Sequence, residues 1–234
     1  MGLCLEVGIL ADLRDRDEEG CAHYRQVFRV LNELLARHGL PPHREPEDLP
    51  EEDRVSWDMG GYRPLHTLRQ VAAYCWARRK LAASDGDNSA DDPVVEEYYR
   101  RGGLRRPNFW QEVFCVQDRR PPRFGHLMLH GDSEGLYVPI SFDRVLFSRE
   151  SSEILGGAVG SSPRLRAECE ELADVLHLPL DLDPDADEVI DAIEQAGGEG
   201  EPLWRRHAVE SFTCLRLHRA CAASISTGAA LVFT

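Results

Sequence analysis

Leu3, Leu5, Val7 and Ile9 fall on alternate positions at the start of the chain, the two-residue period of a half-buried strand. The period then lengthens. Val27, Val30, Leu31, Leu34 and Leu35 recur at helical spacing behind Asp17, Glu18 and Glu19, and Gly39 with Pro41 and Pro42 stops the run. That pattern predicts a helix over 17–38. Residues 43–54 are acidic and carry prolines, so they read as loop. Pro64 suits a first helical turn, and Leu65, Leu68, Val71, Ala72 and Cys75 predict the buried stripe of a second helix. After the polar run SDGDNSADDP (84–93) come a short amphipathic piece at Val94–Arg101 and a strand at Val113–Val116.

The stretch FGHLMLHGDSEGLYVPISF (124–142) joins two apolar runs by a turn-rich tip and reads as a hairpin. Beyond Phe147 the pattern turns helical. Ser162-Pro163 starts one helix running to about His177, Asp183-Pro184 starts another ending at Gly197-Gly198, and Leu203–Thr227 forms a third. Leu231–Phe233 returns as a last strand. Early strands and late helices predict an α+β fold: a mixed or antiparallel sheet with the 124–142 hairpin at its centre, packed by about five helices, three of them C-terminal. We read residues 1–234 as a single domain, with a helical subdomain from about 150 as the alternative division.

The charge changes the picture most. Against 27 basic residues stand 41 acidic ones, a formal charge of −14, and Lys80 is the only lysine. Such a balance argues against nucleic acid as a partner, because neutralising phosphates takes clustered Lys and Arg. It suits a basic protein partner instead. Seven dispersed cysteines with no CxxC read as buried thiols in a reducing cytoplasm. No stretch is long and apolar enough for a membrane span, and the start lacks a secretory signal. Together these predict a cytoplasmic protein with no membrane partner.

Candidate chemistry concentrates at the hairpin tip. His130, Asp132 and Glu134 lie together there, and a carboxylate beside imidazole raises its basicity and fixes its tautomer. In that reading His130 is a general base, Asp132 its orienting partner and Glu134 a second acid or cation ligand. Tyr137 stands beside the tip. The segment SWDMGGYRPLH (56–66) gathers Trp57, Tyr62, Arg63 and His66 at a helix entrance, the residue types of binding hot spots and equally of a loop sealed onto a core.

Three further patterns have plainer readings. DPDADEVIDAIE (183–194) spaces its acids like a calcium loop, but position 6 is Glu188 where the sharp turn needs glycine. It reads better as a helix capped by Asp183, with Val189, Ile190 and Ile193 facing the core. His207, Glu210, Cys214, His218 and Cys221 share one helical face, yet His207 and His218 are about 16 Å apart along the axis and cannot share one ion. They read as a buried seam. GGAVGSS (156–162) lacks the lysine of a nucleotide-binding loop and reads as a flexible lead-in to a capped helix. No metal site and no cofactor follow from any of these. An HExxH motif is absent from the sequence.

The motif H-x-D-x-E-G-x-Y-V-P (130–139), with the MGL-x-L-E start and the helical C-terminal region, resembles a family of bacterial proteins to which no activity attaches. The resemblance implies a shared fold and a shared hairpin. Small acidic cytoplasmic proteins of this general look include immunity proteins that neutralise toxins, an analogy of type. The leading expectation is therefore an intracellular binding protein, of the immunity kind, that neutralises a basic partner through its acidic surface. The alternative is an acid–base enzyme of the hydrolase or lyase class centred on His130, Asp132 and Glu134.

Overall fold

In the computed structural model, which describes residues 2–14, 16–81, 91–101, 121–131, 135–147, 152–195, 198 and 200–234, the alternation at the start forms strand β1, Cys4–Val7. The strand is shorter than its pattern, because Gly8 takes a left-handed conformation at φ 86° and turns the chain into the short helix α1, Ile9–Leu13. Helix α2, Glu18–Arg37, follows, capped by Asp17, whose carboxylate accepts the Gly20 N–H at 2.9 Å. Strand β2 is Val55–Asp58 and helix α3 is Arg63–Trp76, with Pro64 in its first turn. Helix α4 spans Pro93–Arg101. The strand predicted at Val113–Val116 lies outside the described residues.

The 124–142 segment does not form a hairpin. Its first half is a short helix, α5 (Gly125–Leu129), and only its second half is a strand, β3 (Leu136–Val138). Leu127 and Met128 could serve either periodicity, which a short apolar run leaves open. Then come β4 (Leu146–Phe147), α6 (Ser152–Leu155) and β5 (Ala158–Ser161). The glycine-bearing lead-in at 156–162 is thus partly a buried strand, and Ser161, its last residue, caps helix α7, Ser162–Leu176. Helix α8 is Asp187–Gln195. The single long helix expected next is broken at His207 into α9 (Leu203–Arg206) and α10 (Ala208–Thr227). Gly228, at φ 77°, ends α10 and leads into β6, Leu231–Phe233.

The six strands form one mixed sheet in the order β2-β1-β6-β3-β5-β4. Only β3 and β5 pair in parallel; the other neighbours are antiparallel. The α+β class holds, with β6 and β3 as the central pair of strands. Side-chain alternation divides the interior in two. Leu5, Val7, Tyr137, Leu231 and Phe233 face the core shared with α3, α4, α5, α7 and α10. Leu136, Val138, Val159 and Val232 face the opposite core, closed by α1, α2 and α6. Helix α10 packs along α7 and α3, which explains why it is buried on most sides. Among the described residues, no helix is long and apolar enough to cross a membrane.

Candidate acidic binding face

His130 follows α5 directly and is 4% exposed. Its Nδ1 lies 3.2 Å from the Gly131 carbonyl and its Nε2 3.2 Å from the Leu136 carbonyl. The ring stacks on Tyr137 at 4.0 Å between centroids and meets Phe233 edge-on. With both nitrogens against backbone carbonyls, none is open to take a proton from a substrate, and burial pushes the group down to about 4. This corrects the general-base expectation at His130. Asp132 and Glu134 lie outside the described residues.

Tyr137, expected beside a binding tip, is 1% exposed, and its hydroxyl donates to the His126 carbonyl at 2.9 Å. No partner reaches it in this fold. The helix entrance is half sealed: Trp57 and Tyr62 pack against the larger core, and the Arg216 guanidinium lies over the Trp57 ring at 5.3 Å. Arg63 is exposed and His66 half-buried. The side chain that joins this helix to the 127–131 segment is Arg69, unremarked in the sequence. Buried, it donates to the carbonyls of Leu127 at 2.9 Å and His130 at 2.7 Å.

Beneath α5 the Glu168 carboxylate accepts the N–H groups of His126 and Leu127 at 3.0 and 2.8 Å. Burial outweighs those bonds and pushes it up to about 8, while burial pushes His126 down to about 4. These groups give a stability profile with a definite sign. The Glu168 contribution is present below its ordinary 4.5 and lost as pH rises through about 8. Those of His126 and His130 are present above their ordinary 6.5 and lost as pH falls toward about 4. Between 4.5 and 6.5 the unfolded chain binds two more protons on histidine and one fewer on Glu168, so stability rises with pH. From 6.5 to about 8 Glu168 acts alone and stability falls, by about 1.4 kcal/mol per pH unit. Urea unfolding across this range is expected to show a maximum near pH 6.5, and Glu168→Gln to flatten the alkaline limb. An alkaline decline unchanged in that variant would refute the assignment.

The exposed charge has a clear centre elsewhere. From Leu178 to Trp204 the sequence holds nine acids and no basic residue. Asp181, Asp183, Asp185, Asp187, Glu188, Asp191, Glu194 and Glu201 are all exposed. The calcium-loop reading falls because its first acids are already engaged. Asp185 pairs with Arg216, and Asp183 pairs with Arg219 at 3.5 Å, while Arg219 also donates to the Leu182 carbonyl at 2.8 Å. Asp183 does not cap the helix either: it accepts from Asp185 N–H in a turn, and α8 begins only at Asp187.

Those arginines belong to α10 and tether the loop from below, Arg216 being held between Trp57 and Phe212. What remains outward is α8. Asp187, Asp191 and Glu194 pair with no cation among the described residues and share one helical face, and Glu188 has only Arg205 at 3.6 Å. Val189 and Ala192 are buried, but Ile190 and Ile193 are 43% and 37% exposed, against the expectation that they face the core. α8 rests on Val189 and Ala192, leaving both isoleucines at its flanks.

The seam on α10 is plain packing. Cys214 donates to the Cys169 carbonyl at 3.3 Å, and His207 and Glu210 are buried together at 3.6 Å. Among the described residues, no group of three or more metal-ligating side chains comes together.

Residues 1–233 match a protein family described as "Putative DNA-mimic protein". No curated protein and no solved structure matches the chain. The match supports an acidic protein that binds a basic partner. It overturns the expectation that nucleic acid has no place in the chain's partnerships, since a family named for imitating DNA points to partners that handle nucleic acid. The charge balance misled because it was read as repelling DNA, when the same carboxylates can stand in for DNA.

Proposed function

Because the chain belongs to this DNA-mimic family, we propose that it occupies the DNA-binding surface of a basic protein, presenting carboxylates where that protein meets phosphates, and neutralises it by exclusion. The layout of α8 carries the reading. Asp187, Asp191 and Glu194 share one face at intervals of about 6 and 4.5 Å of axis, with Glu188 beside them, so four carboxylates lie within about 10.5 Å. One strand of DNA presents a charge about every 3.4 Å along its axis. Asp181 and Glu201 extend the same sign beyond the helix, and Arg205, Arg216 and Arg219 hold the charged loop in place, so less ordering is needed on binding.

Competition tests it directly. The protein is immobilised and offered the DNA-binding proteins that a duplex-DNA column retains from its own source. A retained protein should be released by duplex DNA, and its DNA binding should be lost in the presence of the free chain. Retention that duplex DNA leaves untouched, or no retention at all, overturns the proposal.

A further inference from the structure

A second built site lies on the opposite side of the sheet from α10. One face of α2 and the loop that returns along it enclose an open groove of about 630 Å³, within the range of small-ligand sites. The register of the two walls is fixed at both ends. Asn32 holds the His43 backbone twice, donating to its carbonyl at 2.9 Å and accepting its N–H at 2.7 Å. Seven residues back along α2, Arg25 pairs with Glu47 at 2.7 Å. Glu45, midway between His43 and Glu47, therefore lies level with Phe28 and Arg29 across the groove.

The floor is apolar, with Leu10 and Phe28 buried, apart from one acid–base pair. His43 Nε2 and Glu45 Oε2 are 2.6 Å apart, with both side chains only 2% exposed. The same Oε2 accepts the Ala230 N–H at 2.7 Å. Glu45 Oε1 has no hydrogen-bond partner at all among the described residues. A buried carboxylate oxygen without a donor is costly. On the rim Arg29 is exposed and pairs with no acid among the described residues. A cation and an acceptor thus stand level across the groove, neither satisfied by the other.

We propose that this groove binds a small ligand that carries both an anionic group, held by Arg29, and an N–H donor, received by Glu45, over an apolar floor of Leu10 and Phe28. An α-amino acid and a nucleotide with an exocyclic amino group both supply that pair of groups. The site is separate from α8 and does not depend on the DNA-mimic reading.

Thermal unfolding with separate probes decides it: phenylalanine, cytidine monophosphate, and inorganic phosphate as an anion without a donor. One of the first two should raise Tm in proportion to the logarithm of its concentration above Kd, by about 5 °C at roughly a hundredfold excess. The responding arm identifies the source. Phosphate alone should not reproduce the rise. Arg29→Ala, at an exposed position, should weaken the response about tenfold while the unliganded Tm stays put. Glu45→Gln should abolish it, and if that variant fails to fold, Arg29→Ala decides alone. No rise with any probe, an equal rise with phosphate, or a rise that Arg29→Ala retains overturns the proposal.

Discussion

Replacing Gly160 by alanine is expected to cost about 3 kcal/mol or more of stability, the upper range of overpacking penalties. Gly160 sits in β5 directly opposite Tyr137 of β3. An added Cβ would lie 2.1 Å from Tyr137 Cδ1 and 2.3 Å from Cε1, well inside contact distance. The ring has no room to retreat. Its hydroxyl is held by the His126 carbonyl, one face is covered by His130, and Phe233 stands 5.6 Å from its centroid. A fall in Tm of about 6–12 °C follows for a chain of this size. The contact is isolated by a double-mutant cycle: in a Tyr137→Val background the same alanine should cost less than about 1 kcal/mol. An equal cost in both backgrounds would show that the ring is not the obstacle.

The second large effect concerns binding and should leave folding nearly untouched. Neutralising the outward acids of α8 together, Asp187→Asn, Asp191→Asn and Glu194→Gln, is expected to weaken the DNA-competing interaction by roughly ten- to a hundredfold. That is the sum of three exposed charge pairs at up to about 1 kcal/mol each. The salt dependence of binding should become shallower as well. None of the three side chains is buried, so circular dichroism and Tm should change little. The control removes as much charge elsewhere: Glu51→Gln, Glu52→Gln and Asp53→Asn, in the exposed turn before β2. Equal weakening by the control would mean that net charge, and not the α8 face, carries recognition.

Where one periodicity governed a segment, the sequence was a reliable guide. Asp17 and Gly39 bracket α2 as their chemistry dictates, Pro64 opens α3, and Leu231–Phe233 is a strand. The failures share a cause: short apolar runs whose fate depends on distant partners. The 124–129 run became a helix because Glu168, far along the chain, accepts its N-terminal N–H groups, and Arg69 donates to the carbonyls of Leu127 and of His130 just beyond it. Neither partner is visible from the run itself. His130 likewise looked like chemistry because its turn was polar, whereas Tyr137 and Phe233 seal it from both sides. The acid run at 183–194 was legible as a helix, but its first residue is Asp187, three positions after Pro184. Arg216 and Arg219 claim the acids that would have capped it. Val189 and Ala192 take the inward face, which leaves Ile190, Ile193 and the carboxylates at the surface. The groove beside α2 was not legible, since His43 and Glu45 lay in a stretch whose prolines and acids marked only a loop.

The seating of β6 also sets the order in which this molecule can be made. Residues 231–233 lie between β1, which starts at the fourth residue, and β3. Without them the sheet would be two ribbons, β2 with β1 and β3 with β5 and β4, that no strand pairing joins among the described residues. Both ribbons then present an unpaired edge, the condition under which strands find wrong partners. Completion of the sheet therefore waits on pairing Leu5 with Phe233, a contact of very long sequence separation, and such closure is slow. The net acidic character protects the chain in that interval, because like-charged chains repel one another before their edges can meet.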